Sequence, residues 1–134
     1  MTKLTTVEGI GEVYSQRLTE AGIQTVEELL EKGTSPAGRK ELAEKTGISA
    51  KLILKWVNRA DLFRIKGVSE EYADLLEIAG VDTVPELAQR NAENLYQRLA
   101  EANQEKKLVR RLPSQATVSD WIEQAKGLPR AINY

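Results

Sequence analysis

Two stretches decide the fold: Val7-Glu8-Gly9-Ile10-Gly11-Glu12-Val13-Tyr14 and Ile65-Lys66-Gly67-Val68-Ser69-Glu70-Glu71-Tyr72. The second repeats the first at an offset of 58. The register continues through Leu18 and Leu76, Ala21-Gly22-Ile23 and Ala79-Gly80-Val81, and Thr25-Val26 and Thr83-Val84. Residues 7–30 share 10 of 24 positions with the second copy, far more than chance supplies, so the chain is read as an internal duplication. The matches fall at turns, caps and apolar positions, where backbone and packing restrict residue type.

Around these stretches the signals are helical. Val13, Tyr14, Leu18 and Ala21 are expected to share one helix face, stopped by Gly22, with Ile23 packing back beyond the turn. Thr25 with Glu28, and Thr83 with Glu86, read as capping boxes. Ser35-Pro36 opens a helix that ends near Gly47. Ser49 caps the next, with Ile53, Trp56 and Val57 on one face and Lys51, Lys55 and Arg59 on the other. Asp61 is expected to cap a short helix from Leu62 to Lys66, and Ser69 the one that follows. A helix then crosses Leu95, Leu99 and Ala102. Thr117 with Asp120 starts a last helix, ended by Gly127 and Pro129, and residues 130–134 read as a tail.

Leu42-Ala43-Glu44 echoes Leu99-Ala100-Glu101, and Trp56-Val57 echoes Trp121-Ile122. The change of offset between these pairs places an insertion near residues 103–113, expected to be an extra helix closed by Pro113. The resulting expectation is an all-α protein of about ten short helices in an orthogonal bundle. Residues 1–60 form one half and 61–134 the other, packed as one compact unit, with Trp56, Trp121, Tyr14 and Tyr72 in the core.

Composition narrows the chemistry. The chain has 134 residues, no histidine and no cysteine, so the usual neutral-pH base, thiolate chemistry and the commonest neutral metal ligand are missing. Its carboxylates form no recognisable converging set with a nucleophile, and no phosphate-loop or dinucleotide motif is present. No catalytic residue, metal site or cofactor is therefore assigned, and the protein is read as a non-enzyme. No apolar run approaches the ~20 residues that cross a bilayer, so a cytoplasmic protein without membrane contact is expected.

A short helix, Gly9-Ile10-Gly11 and a longer helix resemble the helix-hairpin-helix element. The exposed N–H groups of such a turn can receive a phosphate oxygen. Gly9, Ile10, Gly11, Gly67, Val68 and Ser69 are thus the candidate phosphate-binding turns. Pure fold architecture, or a monovalent cation held by turn carbonyls, are the other readings of the same residues. The wider class is similar to many sequence-independent DNA binders. Ser69 departs from its second glycine, and Glu12, Glu70 and Glu71 stand where DNA-binding versions often carry basic or small residues.

The chain as a whole resembles an uncharacterised bacterial family of tandem helix-hairpin-helix proteins, the domain of unknown function numbered four-three-three-two. Residues that carry the resemblance include Pro36-Ala37-Gly38-Arg39-Lys40-Glu41-Leu42-Ala43, Lys55-Trp56-Val57-Asn58 and Lys107-Leu108-Val109-Arg110-Arg111-Leu112-Pro113. It implies the fold and brings no activity with it.

Charge is balanced, with 19 basic and 20 acidic residues, whereas dedicated nucleic-acid binders usually carry a basic excess. The candidate basic patch is Lys51, Lys55, Arg59, Arg64 and Lys66, with Arg98, Lys106, Lys107, Arg110 and Arg111. The expected function is a small interaction or adaptor protein with a protein partner. Weak, sequence-independent DNA binding through the hairpin turns is the alternative.

Overall fold

The computed structural model describes residues 2–134. Among them the chain is an all-α bundle of eight helices with no sheet, preceded by a short 3-10 turn at Leu4–Thr6. The helices are α1 (Glu12–Glu20), α2 (Val26–Lys32), α3 (Pro36–Thr46), α4 (Ala50–Leu62), α5 (Glu70–Ile78), α6 (Val84–Ala88), α7 (Ala92–Lys106) and α8 (Gln115–Gly127). Among the described residues no helix is long and apolar enough to cross a membrane. The backbone divides into two units. Unit 1 ends at Asp61 and recovers Ala131–Tyr134, and unit 2 is Leu62–Arg130.

In unit 1 the turn before α1 is set by Gly9 at φ +94°, a conformation that a side chain strains. Ile10 is buried and its N–H donates to Val7 O at 3.1 Å. After α1, Ile23 N–H reaches back to Leu18 O at 2.9 Å across Gly22, which turns the chain into α2. Thr25 caps α2, accepting from Glu28 N at 3.1 Å. An antiparallel bridge between Lys3 and Thr25 ties the start of the chain to that cap. Burial alone would raise the Glu27 carboxyl, but hydrogen bonds led by the Thr2 N–H hold it below its ordinary value.

Ser35 and Pro36 start α3 as the sequence predicts, with Ser35 Oγ accepting from Gly38 N at 3.0 Å, and Gly47 ends it at φ +74°. Ser49 likewise caps α4, accepting from Leu52 N at 3.1 Å. α3 touches both α1 and α2. From α4, Trp56 is buried and meets the Tyr14 ring at 5.2 Å between centroids, tilted by 59°. A Cβ added at Gly9 would lie 3.3 Å from Trp56 Nε1, so the indole edge is seated on the bare glycine.

Unit 2 has a matching turn and indole seat. Gly67 has φ +96°, Val68 N–H donates to Ile65 O at 3.2 Å, and Val81 N–H reaches Leu76 O at 2.8 Å across Gly80. From α8, Trp121 meets Tyr72 at 5.4 Å with a 54° tilt, and its Nε1 lies 3.1 Å from where a Gly67 Cβ would stand. In unit 2, α5 packs against α7, and α8 packs against both α6 and α7. Leu75, Leu76, Val81, Leu87, Leu95, Leu99 and Val118 share its core with Trp121.

Several local expectations differ from what is found. No helix spans 62–66, because α4 continues to Leu62 and the chain turns directly into Gly67. The extra helix near 103–113 is absent. α7 runs to Lys106, Lys107 closes it at φ +52°, and residues 107–114 are not helical. Two forces set this: Pro113 disfavours a helical residue before it, and Asn103 Oδ1 accepts the Val109 N–H at 2.9 Å in place of a helical carbonyl. The last helix begins at Ser114, whose Oγ accepts from Thr117 N at 3.1 Å, rather than at Thr117. Val13 is 65% exposed and does not join the buried face of α1. Thr83 occupies the N-cap of α6, yet its hydroxyl bonds the Glu86 carboxylate at 3.1 Å instead of the backbone.

Candidate functional site

The turn residues fall into an inner and an outer set. Ile10 and Val68 point inward and are buried, while Gly9, Gly11, Gly67 and Ser69 are exposed. The N–H groups of Ile10 and Val68 are already used within the turns. What each turn still presents is the start of the next helix: neither α1 nor α5 has a side-chain cap. The first turns carry carboxylates instead, Glu12 in α1 and Glu70 and Glu71 in α5, and negative charge there suits the positive helix end. Glu8 adds an exposed carboxylate on the other side of Gly9.

The candidate basic residues do not share one environment. Lys51 and Lys55 are exposed on α4, but Arg59 is buried, at 6% exposure. The spacing of four correctly aligned it with Lys51 and Lys55. However, residues 59–62, the end of α4, are buried all round, which takes Arg59 out of any surface patch. Arg64 donates from Nη2 to Pro129 O. The Lys66 side chain is exposed, while its peptide is bracketed by Gln124, which accepts from Lys66 N at 2.8 Å and donates to Lys66 O at 3.1 Å. Arg98 is exposed on α7. Lys106, Lys107, Arg110 and Arg111 are exposed along the end of α7 and the non-helical segment after it. That segment is pinned by buried Val109 and by Tyr72, whose hydroxyl donates to Arg111 O at 3.0 Å.

A cleft of about 390 Å³ opens beside the C-terminal ends of α1 and α3, lined by Arg17, Glu20, Ala21, Lys45 and Thr46. Its charges are of both signs. Lys45 is engaged by Glu41 at 2.9 Å, and that hydrogen bond and charge hold the Glu41 carboxyl below its ordinary value. The Thr46 hydroxyl donates to Leu42 O at 2.6 Å and accepts from Ile48 N at 3.2 Å, so it is bonded within its own helix end.

One heavily bonded cation stands outside the candidate residues. Arg39 is 6% exposed, and its guanidinium donates to Gly33 O at 2.8 Å, Thr34 O at 3.3 Å and Asn133 O at 2.9 Å. Asn133 lies 94 residues away along the chain, so no local pattern marks the pairing. Residues 131–134, expected as a tail, are docked on unit 1.

A family model described as a domain of unknown function (DUF4332) matches residues 8–128. No curated protein matches the chain. No solved structure matches it either. The chain belongs to that family.

Proposed function

We propose that this member of the family is a non-enzymatic interaction protein built from two helix-hairpin-helix-like units, whose glycine turns clamp helices together. The closely matched φ angles at Gly9 and Gly67, and the tryptophan edge seated on each, support the repeated element. One observation carries the reading of the turns: they are flanked by exposed Glu8 and Glu12 in unit 1, and by half-buried Glu70 and exposed Glu71 in unit 2. A phosphate docked there would meet like charge, while the carboxylates already fill the electrostatic role at the helix start. The absence of histidine and cysteine supports a role without catalysis.

The test is fluorescence anisotropy with duplex and branched DNA, beside a pull-down for protein partners. The reading expects no DNA binding at ~150 mM salt and a protein partner in the pull-down. Robust DNA binding with no protein partner overturns it.

A second reading, weak sequence-independent nucleic-acid binding, has one observation in its favour: Lys106, Lys107, Arg110 and Arg111 are all exposed in one short stretch. Four phosphate contacts would give a log–log salt slope of about −3 to −4. Reversing all four charges should then weaken binding equally for every DNA sequence. Failure of the wild-type chain to shift DNA at low salt removes this reading.

A further inference from the structure

We propose that the seat formed by Thr34, Arg39 and Asn58 in unit 1 is a recognition groove for a short extended peptide with a branched aliphatic residue followed, two positions on, by a tyrosine, and that Ala131–Tyr134 is its built-in occupant. This names the partner chemistry of the interaction role proposed above and rests on it.

The contacts are those by which extended peptides are recognised: main-chain hydrogen bonds for affinity, and alternate side chains for selection. Both main-chain groups of Asn133 are held. Its N–H donates to Thr34 O at 2.8 Å, and its carbonyl accepts from Arg39 Nη2 at 2.9 Å. These bonds read no side chain, and the Asn133 side chain is exposed. Its neighbours are read. Ile132 is buried, at 2% exposure. The Tyr134 hydroxyl donates to Asn58 Oδ1 at 2.8 Å, and the Arg39 guanidinium lies 6.0 Å from the centre of its ring.

The seat is built without its occupant. The Arg39 Nη1 is held by Gly33 O and Thr34 O, both from the α2–α3 connection, so its Nη2 edge is aimed by bonds that do not involve the occupant. The occupant has no helix of its own, and short docked segments of this kind open far below the free energy of global unfolding. A tethered segment competes at an effective concentration in the millimolar range. A partner peptide therefore gains when the resident segment is released.

The test uses the full chain with Ile132→Asp, which expels the resident segment, and a fluorescein-labelled peptide copying residues 128–134. The peptide should bind this variant at least about tenfold more tightly than it binds the wild-type chain. The same peptide with its tyrosine changed to alanine should bind less, and Arg39→Lys in the Ile132→Asp chain should remove most of the binding. Because Ile132→Asp also disturbs a buried position, Asn133→Pro is titrated in parallel: it removes the N–H donated to Thr34 and leaves the Ile132 side chain in place. Tighter binding by either variant with helical circular dichroism intact supports the groove. If neither binds more tightly than wild type, or if both lose the helical signal on release, the seat is an internal fastening and the inference fails. A failed titration leaves the DNA and pull-down results untouched, so it is distinguishable from failure of the interaction role.

Discussion

The turn at Gly9 and the turn at Gly67 are the same device made from different residues. Both glycines have φ near +95°, both are followed by a buried aliphatic residue, and both carry a tryptophan edge from a helix far along the chain. The next position differs, glycine at 11 and serine at 69, yet the backbone there is nearly identical: φ −85° and ψ −171° against φ −86° and ψ 177°. That is extended backbone open to any residue, and nothing stands within 4 Å of a Cβ added at Gly11. Only the first glycine of the pair is therefore required by the turn. The second is free to vary, and its replacement in unit 2 says nothing against the shared architecture.

The largest test of this equivalence is removal of the indoles. Trp56→Ala and Trp121→Ala should each cost about 3–5 kcal/mol, because each empties a fully buried site beneath its turn. Urea unfolding of both variants checks this, and a large cost at one site with almost none at the other would break the comparison. Next are the glycines. Gly9→Ala and Gly67→Ala should cost about 1–3 kcal/mol each, from positive φ and crowding against the indole. Gly67 should be the worse of the two, since its indole is nearer, at 3.1 Å against 3.3 Å.

The caps sharpen the comparison at smaller scale. Thr25→Ala should cost about 1 kcal/mol, for Thr25 accepts a backbone N–H, whereas Thr83→Ala should cost only a few tenths, for Thr83 does not. Thermal unfolding of the pair reads the difference, and equal losses would contradict it. The smallest effect belongs to Gly11→Ser, which copies unit 2 into unit 1 and should change stability by less than about 0.5 kcal/mol.

What the sequence disclosed follows from where its constraints are local. The offset of 58 located both turns, because Gly9 and Gly67 answer to their own backbone and Leu18 and Leu76 to their own helices. The match of Trp56 with Trp121 pointed to equivalent core places, and the two tyrosine–tryptophan pairs occupy them. Non-local effects escaped. Arg59 has the spacing of a surface residue, but the end of α4 is buried on all sides. The helix expected near Pro113 had suitable side chains but lost its hydrogen bonding to Asn103. Arg39 sits in a mostly polar helix, and the carbonyl that gives it a further role comes from the far end of the chain.

The most direct measurement is a nuclear Overhauser experiment on the two indole N–H protons. In each unit the indole N–H should show a cross-peak to the Hα protons of its own turn glycine, Trp56 to Gly9 and Trp121 to Gly67. Cross-peaks in one unit only, or in neither while the protein stays helical, would contradict a duplicated turn seated under a tryptophan.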